Sequence, residues 1–294
     1  MAETCDILSN AMKLGDNISI TKASGKVEPF SGEKLTSSLR RSNASNQTVQ
    51  AILEHIGTEL KDGMSTRDIY QHAFSLLKRY EHRAAIRYKL RRALMELGPG
   101  GHPFERLVGE ILKSQGFEVE IGKIIPGECV SHEVDVLARK GEKHIIVEAK
   151  FHNEQGIKTD VKVSLYVHAR FRDIEKRHER LEHHEGKIDE AWLITNTKFT
   201  ADAIKYGKCA NIRMIGWNYH EDGNLQDLIE DSKLHPITCL STISTADKQK
   251  FLNSGVVLCR EILNEDGSLS PILKVDEGKV REIMEEVNLV CTPR

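Results

Sequence analysis

The chain has no run of about 18 apolar residues, so no segment is written as a membrane-crossing helix. Residues 1–16 carry Glu3 and Asp6 where a secretory signal would be basic and then apolar, and the expectation is a cytoplasmic protein. Its six cysteines, Cys5, Cys129, Cys209, Cys239, Cys259 and Cys291, include no Cys-x-x-Cys pair. That spacing excludes a zinc finger and a disulfide framework, and it agrees with a reducing compartment. A Gly-x-x-x-x-Gly-Lys loop is missing, which removes motor-type ATP hydrolysis. Aromatics are scarce at 5%, and neither repeats nor low-complexity tracts occur. Neither sign of charge dominates, since 42 Lys and Arg face 44 Asp and Glu.

What remains is a chain of 294 residues, 39% hydrophobic, long enough for two or three cores. Its charge is uneven. Residues 17–100 hold 14 basic and 8 acidic side chains, whereas 186–294 hold 13 and 17. The first segment therefore favours polyanions, or simply presents a solvated basic face. The densest cluster of chain breakers, Gly98-Pro-Gly-Gly-His-Pro103, marks a domain boundary. Before it, Ile18–Ile20 and Lys26–Phe30 bracket Gly25 as a hairpin, and four helical segments follow, the third opened by Ser65-Thr-Arg-Asp68 as a capping box. After it, Phe104, Leu107, Val108, Ile111 and Leu112 mark one face of a helix that Gly116 ends. Strands are expected over 117–121, 133–139, 144–150, 190–195 and 212–217, with helices over 162–184 and 200–208, and helical text from Asn224 onward. The domains read as a leader at 1–16, a mostly helical domain at 17–98, a mixed-sheet domain at 102–222 and a helical region at 223–294.

The chemistry concentrates in two segments, Glu133-Val-Asp-Val-Leu-Ala-Arg139 and His144-Ile-Ile-Val-Glu-Ala-Lys150. Both alternate with period two, so Glu148 shares a face with Lys150. A type II′ turn at Gly141-Glu142 sets Lys140 opposite Lys143 and, by the same register, Asp135 opposite Glu148. Opposed side chains stand about 5 Å apart at Cβ, and two carboxylates there repel unless a cation or proton lies between them. Oxygen ligands select Mg²⁺ or Mn²⁺. With Lys150 one pleat beyond to orient a water or neutralise a phosphate, the set suits phosphodiester hydrolysis. The plain alternative is an ionic hairpin face.

The order Phe104-Glu105 on a helix, Gly116-Phe117, His132-Glu-Val-Asp135, Val147-Glu-Ala-Lys150 and then Trp192-Leu-Ile-Thr195 resembles the Mrr-like branch of the PD-(D/E)xK nuclease superfamily over residues 102–220. The resemblance implies an α/β core with a mixed sheet flanked by helices, acting on DNA. It implies that Asp135 and Glu148 bind the metal, that Lys150 assists the water, and that Glu105 reaches the metal through water. Val134 stands where the family often has proline. The cationic helix just after these strands, with Lys162, Tyr166 and Arg170, offers a DNA-backbone contact. Its acids Asp173, Glu175 and Glu179 allow a self-paired solvated helix equally well.

Ile20-Thr-Lys-Ala-Ser-Gly25, followed by Glu28-Pro-Phe30 and Glu33-Lys-Leu35, resembles the opening of an ATP-cone, and Ala84–Arg91 resembles its close. This implies that ATP or dATP is bound as an effector, with Lys22 and Lys34 near the phosphates and Ile20 beside the base. Ala23 replaces the family's usual arginine. The segment around Ser254-Gly255 has a weak likeness to helix-hairpin-helix modules, without their Gly-x-Gly. Together these readings describe an α/β multidomain protein, a homo-oligomeric, metal-dependent DNA endonuclease gated by an adenine nucleotide. The rival reading is a noncatalytic DNA-binding protein with a nucleotide-sensing or structural cap.

Overall fold

The computed structural model describes residues 18–22, 24–154, 156–180, 187–220, 223–263 and 271–291. The leader at 1–16 and Ala23 lie outside them. The chain divides into two compact units, Met1–Leu90 and Arg91–Arg294. The dividing point falls inside a helix rather than at the Gly and Pro cluster of 98–103.

In the first unit β1 (Ser19–Thr21) and β2 (Val27–Pro29) form an antiparallel hairpin with Ile20 opposite Glu28. Gly25, at φ +78°, makes the reversal that a side chain would strain. Helices α1 (Gly32–Arg41), α2 (Asn46–Glu59), α3 (Thr66–Tyr80) and α4 (His82–Met95) follow. Three begin at a serine whose hydroxyl accepts the backbone N–H three residues on: Ser31 from Lys34, Ser45 from Thr48 and Ser65 from Asp68. Each bond satisfies one of the four N–H groups a helix start leaves open. Leu39, Val49, Ile52, Leu53 and Leu77 fill the core.

The second unit centres on a five-stranded sheet ordered β3-β4-β5-β7-β9. Strands β3 (Glu118–Pro126), β4 (Ser131–Lys140) and β5 (Lys143–Lys150) are antiparallel neighbours, while β7 (Glu190–Thr195) and β9 (Arg213–Ile215) join in parallel. Helix α5 (His102–Ser114) precedes the sheet, α6 (Val161–Arg180) crosses from β5 to β7, and α7 (Ala201–Cys209) crosses from β7 to β9. Parallel neighbours require such crossovers. On the α5 side, a Cβ added to Gly109 would meet Val119 and Ile121 at 3.2 Å, so the missing side chain lets helix and sheet approach closely. On the other side Leu137, Ile146 and Leu193 pack with Val167 and Ile174 of α6 and Ala203 of α7. A two-residue parallel pair, β6 (Lys158–Thr159) with β8 (Lys198–Phe199), ties the chain before α6 to the end of β7.

The remainder of this unit holds α8 (Leu225–Ser232), α9 (Thr245–Asn253) and α10 (Glu277–Cys291), with 3-10 turns at Ile237–Cys239 and Cys259–Ile262. After Gly255 the chain runs into that second 3-10 turn rather than an α-helix, so the helix-hairpin-helix likeness does not hold. Buried Glu286 instead joins α10 to the loop before α9: its carboxylate accepts the N–H and hydroxyl of both Ser241 and Thr242 at 2.6–2.9 Å. Among the described residues no helix is long and apolar enough to cross a membrane.

Candidate active site

The β4–β5 register is the one expected from the turn: Gly141 has φ +60°, Lys140 faces Lys143, and the ladder runs to Val136 opposite Val147. Beyond that pair the backbone ladder stops. There the Asp135 carboxylate accepts the Ala149 N–H at 2.7 Å, which turns it toward β5 and Glu148. Burial pushes the carboxyls of Asp135 and Glu148 above the ordinary range, and the Asp135 charge pushes Glu148 further. Burial, then Asp135, does the same to Glu105 in the first turn of α5. Three acids from three elements, Asp135 on β4, Glu148 on β5 and Glu105 on α5, therefore influence one another in a poorly solvated patch. Lys150 lowers both Asp135 and Glu148, as a cation one pleat away should.

A fourth member comes from α6. Arg170 is only 9% exposed, and its Nη1 donates to Glu148 Oε2 at 2.7 Å. Its guanidinium lies over the Tyr166 ring, 4.4 Å from the centroid, and donates to the Tyr166 hydroxyl. Arg170 is thus not the outward DNA-facing cation that its place on a basic helix implied; it is withdrawn from solvent and pairs with Glu148. Lys162 and Tyr166 on the same helix are exposed.

Sequence reasoning missed the supports beyond Lys150. His152 donates its backbone N–H to Asn196 Oδ1 at 2.9 Å, and Asn196 Nδ2 returns a bond to the His152 carbonyl at 2.7 Å. The His152 ring meets Thr159 Oγ1 at 3.0 Å, and Thr159 bonds to Thr195. Burial, then the Lys150 charge, lowers the His152 pKa. The signal available was the run Thr195-Asn-Thr197, three polar residues that a surface turn does not need and that are wholly buried here.

An oxygen-only set of Asp135 and Glu148 fits a hard divalent cation, since two largely buried carboxylates on neighbouring strands offer the donor type such an ion prefers. When bound, Mg²⁺ or Mn²⁺ supplies Lewis-acid polarisation of a phosphodiester. Among the described residues, the trio whose ligand atoms lie mutually within 4.8 Å is elsewhere, at His55, Glu59 and His72.

In the first unit Lys22 and Lys34 converge on one carboxylate, Glu28, at 2.7 and 3.3 Å. Lys22 first and then Lys34 hold Glu28 below the usual range. Ile20 is 6% exposed and packs in the core, so it does not line an open face where a base would rest. That expectation is corrected by the inward phase of its strand.

Residues 99–218 match the Mrr catalytic family, described as restriction endonuclease, and residues 235–291 match the family described as AF1548-like, C-terminal. An uncharacterized protein of Archaeoglobus fulgidus is 32% identical over 183 residues, which is 62% of this chain and 99% of that one. The chain belongs to the AF1548-like family. A crystal structure of a protein of unknown function, AF1548, superposes with a TM-score of 0.51 at 32% identity, covering 64% of this chain and 97% of that one. The second unit of this AF1548-like chain thus pairs a restriction endonuclease-type domain with the AF1548-like C-terminal region. The latter match replaces the helix-hairpin-helix likeness.

Proposed function

We propose that the protein is a metal-dependent DNA endonuclease whose active site is Asp135, Glu148, Lys150 and Glu105. The observation that supports this is the Asp135–Ala149 bond beyond the end of the β4–β5 ladder, which turns the Asp135 carboxylate toward the strand that carries Glu148 inside a restriction endonuclease-type domain. Asp135 and Glu148 would hold Mg²⁺ or Mn²⁺. Lys150 sets a positive charge beside them, where it neutralises charge developing on a phosphate or orients the attacking water. Glu105, with its raised pKa, is suited to hold a proton or to reach the site through water. Lys162 and Tyr166 present an exposed cation and ring for the DNA backbone.

We further infer that the first unit is an ATP-cone in which Lys22 and Lys34 meet the phosphates of ATP or dATP. Their convergence on Glu28 supports this, because it puts two cations within reach of one anion. A gate requires the nucleotide to favour one global state, and a change of homo-oligomeric state is a natural form.

The Arg170–Glu148 pair favours a second reading, a DNA-binding protein that does not cut, because the arginine already supplies the charge a cation would bring. Incubating the purified protein with plasmid, linear and branched DNA plus Mg²⁺, with and without ATP, separates the two. Cleavage that chelation abolishes supports the nuclease; retention of DNA with no cleavage under any metal supports the alternative.

A further inference from the structure

We propose that His55, Glu59 and His72 form a site for a zinc-type transition-metal ion that clips α2 to α3. His55 and Glu59 are four residues apart on α2, the spacing that puts two side chains on one helix face. His72 comes from α3. The Glu59 carboxylate lies between the rings, with Oε1 3.4 Å from His55 Nε2 and Oε2 3.2 Å from His72 Nδ1. One ligand atom from each residue falls within 4.8 Å of the other two. A tetrahedral ion with bonds of about 2.0–2.1 Å keeps neighbouring ligand atoms about 3.3 Å apart, and each carboxylate oxygen stands near that distance from one ring nitrogen. The imidazoles meet edge to face with centroids 5.0 Å apart, which sets both rings beside the same carboxylate.

Two imidazoles and one carboxylate select Zn²⁺, Co²⁺ or Ni²⁺ over Mg²⁺ or Ca²⁺, which prefer all-oxygen shells. Three protein ligands leave a fourth position to water, and exposure of His55 and Glu59 keeps that position open to solvent. The ion joins two helices that both contribute apolar residues, Ile56 and Ile69 among them, to one core, so binding favours the folded first unit. The donor set differs from the all-oxygen one at Asp135 and Glu148, and the site stands whether or not the chain cuts DNA.

The test is a Co²⁺ titration of the chelator-stripped full-length protein, followed by visible absorption and then displacement by Zn²⁺. One equivalent of Co²⁺ is expected to produce the ligand-field absorption of a four- or five-coordinate nitrogen and oxygen site. The His55→Gln/His72→Gln variant should lose it. Glu59→Gln should weaken binding by at least the roughly tenfold that even an outer-shell change costs. Asp135→Asn should keep it. Zn²⁺ should raise the melting temperature of the wild type and leave the double-histidine variant unmoved. All three changed residues are at least partly exposed, so circular dichroism should report native folds. The proposal is overturned if no Co²⁺ binds at micromolar metal, if absorption persists in the double-histidine variant, as cysteine ligation would allow, or if Asp135→Asn removes it.

Discussion

Arg170 Nη1 stands 2.7 Å from Glu148 Oε2, and both side chains are largely withdrawn from water. A pair so placed contributes little net stability but is expensive to break on one side, since the survivor is a buried, uncompensated charge.

Arg170→Met should therefore cost about 3 kcal/mol of unfolding free energy, near the lower end for a buried pair that loses one partner. Arg170→Met combined with Glu148→Leu should recover most of that loss. Urea denaturation of the wild type, both single variants and the double variant gives the coupling. Additive losses would show that the two charges do not depend on each other.

Removing the central acid should release its neighbours. In metal-free Asp135→Asn, the Glu148 and Glu105 carboxyls should both titrate lower than in the wild type, because burial still raises them but the added push of the Asp135 charge has gone. Carbon-detected NMR titration of the side chains measures this. Cleavage by Asp135→Asn and by Lys150→Ala should fall by roughly a hundredfold or more. DNA affinity should hold in both, since phosphate contacts reside in other cations. A nuclease that survives either change does not use this site.

The two lysines on Glu28 make opposite predictions for two substitutions. ATP or dATP at millimolar concentration should raise the melting temperature of the full chain, and Lys22→Ala should reduce that shift. Glu28→Gln should enlarge it, because the carboxylate competes with phosphate for both ammonium groups. Calorimetry without heat, and cleavage indifferent to nucleotide, would leave the first unit a structural or protein-binding cap.

Glu286 sets part of the acid limb of stability. Burial raises its pKa, but the Thr242 hydroxyl and the Ser241 amide and hydroxyl more than offset that and hold it below the ordinary value. A depressed carboxylate stabilises the fold above its unfolded pKa and loses that contribution as pH falls through the folded one. The urea midpoint should thus be steady near neutrality and decline below about pH 4.5. Glu286→Gln should lower the unfolding free energy by roughly 2 kcal/mol at neutral pH, the scale of hydrogen bonds to a charged group, and flatten the decline.

The sequence by itself determined the features whose causes lie within a few residues. The serine caps at Ser31, Ser45 and Ser65 rest on one hydroxyl and the next turn of chain, and the β4–β5 register rests on period two plus a glycine free to take positive φ. Hence the register from Lys140 opposite Lys143 to Val136 opposite Val147 was legible. Only the tertiary structure decided which side chains from distant segments meet them. Arg170 lies 22 residues from Glu148, and Asn196 lies 44 from His152. Lys22 and Lys34 share Glu28 only because the hairpin folds back, and Ile20 is core only because it packs in one cluster with residues of the helices that follow. A basic helix reads the same on paper whether its arginine faces solvent or an acid. Burial chooses between the two, and burial is a property of the packed layers, not of the local pattern.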